Sequence, residues 1–209
     1  MSTNVIPADE ALKMLKEGNA RFAAGEPLKV AQTTVEQRNS LTGGQTPFAI
    51  ILGCSDSRAP VELVFDQNLG DLFVIRIAGN VVAPSGIGSV EFAAAKFGTR
   101  LVVVLGHSQC GAVTATIEEL QQPSDQRSPN LDSIVKRVRP AVEPLLEFRR
   151  DQDPGSLIAK AVRANIRASA NHLRHGSAIL EDLIENDGLR VVGAEYSLET
   201  GKVDFFDGV

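Results

Sequence analysis

Three short apolar runs in the first half of the chain predict buried β-strands. They are Phe48–Leu52, Leu72–Ile75 and Leu101–Leu105. Their apolarity is continuous and does not alternate, which is typical of strands covered on both faces, as in a parallel sheet. Between the second and third runs, Gly86–Phe97 carries apolar residues at helical spacing. A strand, a helix and a strand in this order form a βαβ unit, so we predict an α/β fold with a mainly parallel sheet flanked by helices.

The rest of the chain predicts further helices and two more strands. The acidic residues after Pro7 are typical of a helix start, and the amphipathic stretch that follows runs to about Phe22. Pro140 and Pro144 are expected to interrupt or kink their helix, because proline lacks a backbone N–H. The remaining predicted elements are helices over Cys110–Leu120, Leu131–Arg150, Ser156–Arg174 and Ser177–Glu185, a polar loop over Gln121–Pro129, a strand over Leu189–Ala194 and a candidate strand over Lys202–Phe206.

Composition narrows the class of protein without naming a function. The chain has 209 residues with no repeat or linker-like segment, so we predict one domain over residues 1–209. A formal net charge of −5 weighs against a nucleic-acid partner or an anionic membrane surface. The apolar runs are too short to span a bilayer, and the first residues lack the apolar segment of a secretory signal. We therefore expect a cytoplasmic protein whose two cysteines are reduced.

Both cysteines and one of the three histidines directly follow predicted strands. The first strand is followed by Cys54, and the third by His107 and Cys110. Because open parallel sheets bind ligands at the carboxyl ends of their strands, these side chains converge if the two strands are neighbours. Two thiolates and one imidazole are a familiar set of zinc ligands. Three protein ligands leave a fourth position for water, which is typical of a catalytic zinc site.

Each of these residues also has an ordinary structural interpretation. A buried cysteine usually packs as a small hydrophobe, and a lone histidine is more often a hydrogen-bonded helix cap than a ligand. Asp56 and Arg58, which follow Cys54 closely, could form a plain loop salt bridge. The joint placement of the cysteines and the histidine at two strand ends favours the zinc site. It also favours a role for the Asp56 carboxylate in orienting a zinc-bound hydroxide, with Arg58 keeping that carboxylate ionised.

Three strings of residues resemble the β-class carbonic anhydrases, and the similarity runs from about Ala11 to Phe206. The strings are Cys54–Arg58 (CSDSR), Arg76–Asn80 (RIAGN) and Gly106–Gly111 (GHSQCG). The resemblance implies a mainly parallel sheet flanked by helices and a zinc enzyme that hydrates carbon dioxide reversibly to bicarbonate and a proton, by attack of a zinc-bound hydroxide. A relative acting on carbonyl sulfide or carbon disulfide would keep the same zinc site, so that alternative stays open.

The resemblance also implies a role for individual residues and an assembly. It assigns Cys54, His107 and Cys110 as zinc ligands, and Asp56 with Arg58 as the catalytic dyad. It further implies a homodimer or homotetramer, formed partly through an N-terminal helical arm that residues 1–25 would supply.

Three further positions resemble the plant-like subtype, type I, of this family. In that subtype a glutamine nine residues before the first zinc cysteine hydrogen-bonds the substrate, and Gln45 stands there. Phe73 and Phe92 match the aromatic positions of its pocket, although the family often has tyrosine at the second. Both phenylalanines also suit ordinary core packing.

The other subtype binds regulatory bicarbonate through a tryptophan, an arginine and a tyrosine. Arg76 and Tyr196 fit that set, but Ile51 takes the tryptophan position, and the chain has no tryptophan. We therefore expect no regulatory bicarbonate site. We also expect an open zinc site near and above neutral pH, in which Asp56 does not coordinate the metal.

Two other classes of function compete with this interpretation. Cys54 followed by Arg58 resembles the anion-binding loops of cysteine phosphatases and sulfurtransferases. Such loops have more residues between the two, and Asp56 would repel a dianionic substrate. A non-catalytic protein with a structural zinc is the second alternative. The pair of Asp56 and Arg58 argues against it, because a structural site has no use for the pair.

Overall fold

Parallel strands form the centre of the molecule. The computed structural model describes residues 5–29, 34–122, 128–147 and 153–209. Its strands are β1 (Ala49–Gly53), β2 (Leu72–Arg76), β3 (Leu101–His107), β4 (Arg190–Tyr196) and β5 (Val203–Asp207). They form one five-stranded sheet of order β2-β1-β3-β4-β5 in the described residues, in which only β5 is antiparallel. The prediction of an α/β fold with a mainly parallel sheet is confirmed.

Helices cover both faces of this sheet. They are α1 (Ala8–Ala24), α2 (Val35–Ser40), α3 (Val61–Val64), α4 (Pro84–Phe97), α5 (Gly111–Gln121), α6 (Pro129–Glu147), α7 (Pro154–His175) and α8 (Ala178–Asn186), with a short 3-10 turn at Ala78–Asn80, called the 78–80 turn below. Helices α4 to α8 contribute to the core on one face, whereas α1 and α3 contribute to the core on the other. The sheet is therefore the middle layer of three.

Successive side chains of each central strand pack on opposite faces of the sheet. In β1, Ile50 and Leu52 pack in the core beneath α4 to α8, and Ile51 packs in the core beneath α1 and α3. All three are fully buried. Full burial of such a side chain contributes about 1.5–3 kcal/mol, which explains why the strands are apolar at every position and do not alternate.

The N-terminal helix packs on the sheet of its own chain. Ala8, Ala11, Leu12 and Leu15 are buried, and their spacing places them on one face of α1. That face joins the core formed with α3 and the central strands. Helix α1 is thus a layer of the fold within the chain, and a contribution to a dimer contact, as expected for residues 1–25, stays a prediction.

Of the two predicted effects of Pro140 and Pro144, interruption of the sixth helix is wrong, and a kink stays a prediction. Helix α6 continues through Pro140 and Pro144 as far as Glu147, and residues 148–150 lie outside the described residues. Both prolines are exposed. Lys136, whose carbonyl receives no hydrogen bond because Pro140 has no N–H, is exposed as well. Water can satisfy carbonyls on this side of the helix, so the missing hydrogen bonds do not end it.

Three short elements did not emerge from the hydrophobic pattern. Helix α2 has six residues and α3 has four, and the 78–80 turn has three. Elements of this length span fewer than two helical turns, too few for an apolar repeat to be recognised. The predicted loop Gln121–Pro129 falls partly on residues 123–127, outside the described residues. Among the helices that are described, none has the length and apolarity to cross a bilayer.

The order of the strands creates a cleft between β1 and β3. After β1 the chain proceeds to β2 on one side of it, and then crosses to β3 on the other side. Ligands of open parallel sheets bind at such a reversal, beyond the carboxyl ends of the strands. The loops after β1 and β3 are therefore the place to examine for chemistry.

Candidate metal centre

Cys54 is the first residue beyond β1. The preceding Gly53 pairs with Arg76 of β2 and with Leu105 of β3, so Cys54 leaves the sheet from its middle. The residue is 6% exposed. Its Sγ accepts a hydrogen bond from the backbone N–H of Gly79 at 3.3 Å. The loop after β1 therefore delivers a buried sulfur that already has one hydrogen-bond donor.

His107 and Cys110 reach the same place from β3. His107 is the last residue of the strand, and a two-residue turn separates it from Cys110. Within that turn Gln109 has a left-handed φ of 55°. Cys110 immediately precedes the first residue of α5, which places it at the N-terminus of that helix.

The three side chains form a tight, buried cluster. The candidate ligand atoms of Cys54, His107 and Cys110 all lie within 4.8 Å of one another, and the two Sγ atoms are 4.0 Å apart. His107 Nδ1 lies 2.9 Å from the Ser108 carbonyl oxygen and donates to it, which leaves the lone pair on Nε2. That Nε2 is buried and has no hydrogen-bond partner in the described residues. A soft donor set with an unpaired imidazole nitrogen fits a zinc ion.

The two cysteines influence each other strongly. The Cys110 thiol hydrogen-bonds to the Cys54 sulfur and lowers the pKa of Cys54 well below its ordinary value, despite burial. The same hydrogen bond, with burial, raises the pKa of Cys110. Burial lowers the pKa of His107, but the interaction with the Cys54 thiolate and the charge of Asp56 outweigh it and raise that pKa. Without a metal, this cluster therefore favours a thiolate at Cys54.

Asp56 is held by Arg58 through both carboxylate oxygens. Oδ1 accepts from the backbone N–H and from Nε of Arg58, each at 2.9 Å, and Oδ2 accepts from Nη2 at 2.8 Å. This pairing holds the pKa of the Asp56 carboxyl well below its ordinary value. Oδ2 also lies 3.7 Å from His107 Nε2, the candidate ligand atom. The structure thus places the predicted dyad beside the cluster, with its carboxylate engaged by the arginine.

Arg76 supports the loop that carries these residues. Its Nε donates to the Cys54 carbonyl at 2.9 Å, and its Nη2 donates to the Asp56 carbonyl at 2.5 Å. Arg58 Nη2 also reaches the Gln109 carbonyl at 3.5 Å, which links the two loops. Sequence reasoning considered Arg76 only as a part of a bicarbonate site, and it missed the Gly79 N–H on Cys54. Both residues belong to the RIAGN string, which marked them as part of the resemblance but did not indicate which hydrogen bonds they make.

The three predicted substrate residues do not reach the cluster within one chain. Phe73 is the second residue of β2, about 10 Å before its carboxyl end. It packs against Phe92 and Phe97, with ring centroids 6.2 Å and 6.1 Å away, and Phe92 is 52% exposed. Gln45 is exposed and precedes β1, at the end of that strand opposite to Cys54. These residues therefore lie at the other end of the sheet.

Comparisons with known proteins agree with this geometry. The family model for carbonic anhydrases matches residues 49–203, well over half of the chain. The protein named carbonic anhydrase 2 of Mycobacterium tuberculosis is 38% identical over 201 residues, which cover 95% of this chain and 93% of the relative. The sequence relationship therefore extends beyond the metal-site strings to the whole fold.

Solved structures give the same result. The β-carbonic anhydrase CafA of Aspergillus fumigatus superimposes with a TM-score of 0.74 at 25% identity, covering 96% of this chain and 91% of the other. A tetrameric β-carbonic anhydrase of Sordaria macrospora superimposes with a TM-score of 0.70 at 26% identity, covering 91% and 93%. The sheet order, the buried cluster and these relationships together show that the chain belongs to the β-class carbonic anhydrase family.

Proposed function

We propose that this enzyme hydrates carbon dioxide reversibly to bicarbonate and a proton, at a zinc site formed by Cys54, His107 and Cys110. The observation that carries the proposal is the position of Asp56. Its carboxylate is anchored by Arg58 and lies 3.7 Å from the candidate ligand atom of His107. A structural zinc site has no need of such an acid, whereas a hydration site does.

The donor set supports zinc as the metal. Two sulfurs and one imidazole nitrogen are soft or intermediate ligands, which zinc prefers and which magnesium and calcium do not. When bound by these three residues, zinc supplies a water molecule of lowered pKa and an electrophilic centre. The hydrogen bond from His107 Nδ1 to the Ser108 carbonyl orients the imidazole for this role.

The hydrogen bonds of Asp56 define what its carboxylate does. Each carboxylate oxygen can accept about two hydrogen bonds. Oδ1 accepts two from Arg58 and is saturated, whereas Oδ2 accepts one. The remaining lone pair of Oδ2, on the oxygen nearer His107, is available to the attacking water. Asp56 accepts a hydrogen bond from that water. This hydrogen bond orients the lone pair of the water oxygen toward the carbon of the substrate.

The chemical step then needs little else from the protein. The oxygen of the attacking water forms a bond to the carbon of carbon dioxide, and one C=O electron pair moves onto the substrate oxygen. The proton that water loses passes to buffer. Arg58 keeps Asp56 ionised throughout, because its guanidinium holds the pKa of that carboxyl far below neutrality.

A second subunit would complete the substrate pocket. Gln45, Phe73 and Phe92 lie at the end of the sheet away from their own cluster, yet they carry the groups that a nonpolar gas and its hydrated product require. We propose that they line the pocket of a partner in a homodimer or homotetramer. The exposed face of Phe92 supports this, since an aromatic ring left half in water favours burial in an interface. A solved relative is described as tetrameric.

The engagement of Asp56 and Arg76 supports an open, unregulated site. Asp56 is held by Arg58, and its carboxylate is not a member of the ligand cluster found among the described residues. Arg76 donates two of its five N–H groups to backbone carbonyls of the loop after β1, which supports a structural role for its guanidinium. We therefore retain the type I interpretation. A reducing compartment such as the cytoplasm would keep both cysteines available to zinc.

Oxygen-18 exchange between carbon dioxide and water tests the proposal. The zinc-loaded enzyme should deplete labelled carbon dioxide far faster than buffer does, and dipicolinate treatment should abolish the effect until zinc is restored. Exchange at the rate of buffer by a fully zinc-loaded oligomer would contradict the proposal. Turnover of carbonyl sulfide by that same sample would then identify the alternative substrate.

A further inference from the structure

The 78–80 turn lies against the metal centre in a conformation that needs support. The N–H of Gly79 donates to Cys54 Sγ, as described above. Gly79 has φ 67° and ψ 21°, and Asn80 has φ 45°, so two consecutive residues are left-handed. Glycine adopts this conformation freely, but asparagine pays for it. Buried neighbours must therefore stabilise the turn.

Two side chains of α7 supply that support. Asn165 Nδ2 donates to the Gly79 carbonyl at 2.8 Å, and Ser169 Oγ donates to the Asn80 carbonyl at 3.0 Å. The two residues are four apart and so share one face of the helix. They are 1% and 6% exposed, which places these hydrogen bonds out of reach of competing water.

Close packing holds α7 directly over the strand that ends in His107. A Cβ at Gly106 would lie 2.6 Å from two atoms of Ile166, and one at Gly193 would lie 2.9 Å from another. Only glycine permits the helix to approach β3 and β4 so closely. Asn165 and Ser169 flank Ile166 on α7, so their positions relative to the sheet are tightly constrained.

We propose that Asn165 and Ser169 are positioning residues of the metal centre. By fixing the Gly79 and Asn80 carbonyls of the 78–80 turn, they keep the Gly79 N–H on Cys54 Sγ. A hydrogen bond to a thiolate withdraws charge from the sulfur, and so it limits how much charge the sulfur donates to a bound metal. The two residues thus influence the charge that the Cys54 sulfur donates to a bound metal, although neither is among the candidate ligands. This inference rests on the proposed metal site.

A purely structural role for the same residues predicts a different result. In that case, Asn165 and Ser169 would only satisfy buried carbonyls, and losing them would lower stability without changing the metal–sulfur bond. The spectrum of a cobalt(II) substituted enzyme separates the two roles. Its thiolate-to-cobalt charge-transfer band reports the energy of the sulfur lone pairs. That energy rises when the sulfur loses the hydrogen bond from the Gly79 N–H.

The experiment compares Asn165→Leu and Ser169→Ala with the parent as full-length, cobalt-loaded proteins. We expect the charge-transfer band to move to longer wavelength in both variants, with the larger shift in Asn165→Leu. We also expect the zinc-loaded variants to release zinc to a chelator about tenfold faster, because the loop that carries the Cys54 sulfur is then held less firmly, as for other lost outer-shell partners. Ser169→Ala removes a single oxygen atom, so it remains measurable if Asn165→Leu does not fold.

Matched controls come from the rest of the fold. Asn19 is also a buried asparagine that donates to backbone carbonyls, of Val64 and Gly201, but it belongs to α1 on the other face of the sheet. Ser177 is a buried serine at the start of α8. Asn19→Leu and Ser177→Ala should lower stability and leave the band in place.

The outcomes distinguish the inference from the proposed function. Unshifted bands with parental zinc release in Asn165→Leu and Ser169→Ala, or equal shifts in the controls, would overturn the positioning role while leaving the metal site intact. A parent that binds neither cobalt nor zinc would overturn the metal site itself.

Discussion

In the loop after β1, different residues supply the candidate metal ligand and the neighbouring acid. Cys54 supplies a sulfur to the cluster, and Asp56, two positions later, supplies a carboxylate beside it. Arg58 engages that carboxylate with its side chain and with its own backbone N–H. Because the ligand and the acid are separate residues, substitution can remove the chemistry without removing the metal.

Asp56→Asn should keep zinc at the parental stoichiometry and lower carbon dioxide hydration by about 100-fold or more, the usual range for a positioned acid or base. The amide has the same shape but is neutral and presents an N–H in place of one acceptor oxygen. Elemental analysis and stopped-flow rates check the two parts. Asp204→Asn is the control, since Asp204 also pairs with an arginine, Arg163, outside the cluster. Parental activity in Asp56→Asn would contradict the assignment.

Cys54→Ala should lose zinc, because two remaining ligands hold the ion poorly. Elemental analysis of the purified variant measures this directly, with Asp56→Asn as the zinc-retaining reference. Zinc at full stoichiometry in Cys54→Ala would show that Cys54 is not a ligand.

Arg58→Met should return the pKa of Asp56 toward its ordinary value of 3.8. The pairing with Arg58 lowers this pKa in the folded chain, so its stabilising effect is complete above about pH 4 and is lost as the pH falls further. The variant should therefore be less stable than the parent at pH 7, with the difference shrinking toward pH 3. Carboxyl NMR titration and urea unfolding at several pH values check this. An unchanged Asp56 titration midpoint would contradict it.

The sequence placed Cys54, His107 and Cys110 together as candidate ligands, with Asp56 and Arg58 nearby, because residue type and position at strand ends were both visible. It did not predict the hydrogen bonds that support them. The bond from Gly79 to Cys54 depends on left-handed backbone at two consecutive residues, and the bonds of Arg76 depend on carbonyl directions in a loop. No side-chain pattern encodes such backbone directions.

At the scale of elements, α1 contributes to the core of its own chain. Leu15 is fully buried between this helix and the sheet. The helix is amphipathic, so its stability comes mainly from this packing and little from intrinsic propensity. The periodicity predicted an amphipathic helix, and the structure shows that its apolar face packs on the sheet of its own chain.

Leu15→Ala should lower the free energy of unfolding by about 2–5 kcal/mol, because it leaves a cavity beneath α1. Urea unfolding of the zinc-loaded protein measures the change. Leu131→Ala is the control, as Leu131 is 59% exposed on α6 and should change stability by about 0.5 kcal/mol or less. Similar losses in both variants would show that α1 does not pack as described.

Helix α6 shows that the effect of a proline on a helix cannot be predicted from the sequence pattern alone. Proline was correctly identified as lacking a donor, but the cost of that missing donor depends on where the freed carbonyl points. The exposure of Pro140 and Pro144 places the affected turns toward solvent, and the helix continues. Sequence periodicity does not establish this in a helix whose packing partners are unknown.

At the scale of the whole molecule, the buried cluster and the proposed substrate aromatics lie apart in one chain. The cluster lies beyond the carboxyl ends of β1 and β3, and the aromatic group of Phe73, Phe92 and Phe97 lies toward the other end of the sheet. Positions at strand ends indicated the cluster, and the family resemblance indicated Phe73 and Phe92 but not Phe97. The sequence could not show that they are separated, because that separation is a property of the folded chain.

Phe92→Asp should weaken the assembly and lower activity together, because a charge replaces an aromatic side chain at a proposed contact between subunits. Analytical ultracentrifugation should show a shift toward monomer, with full zinc retained. Ile179→Asp is the control, since Ile179 is similarly exposed, at 50%, but lies on α8. A fully assembled, fully active Phe92→Asp protein would contradict the shared pocket.

The most direct test of the central claim is stopped-flow hydration of carbon dioxide at pH 8.5. The parent is measured as the zinc-loaded protein, after removal of zinc, and after zinc is restored. The account predicts rapid hydration that disappears with the metal and returns with it. Hydration at the rate of buffer alone by fully zinc-loaded protein, at this pH and above it, would contradict the account.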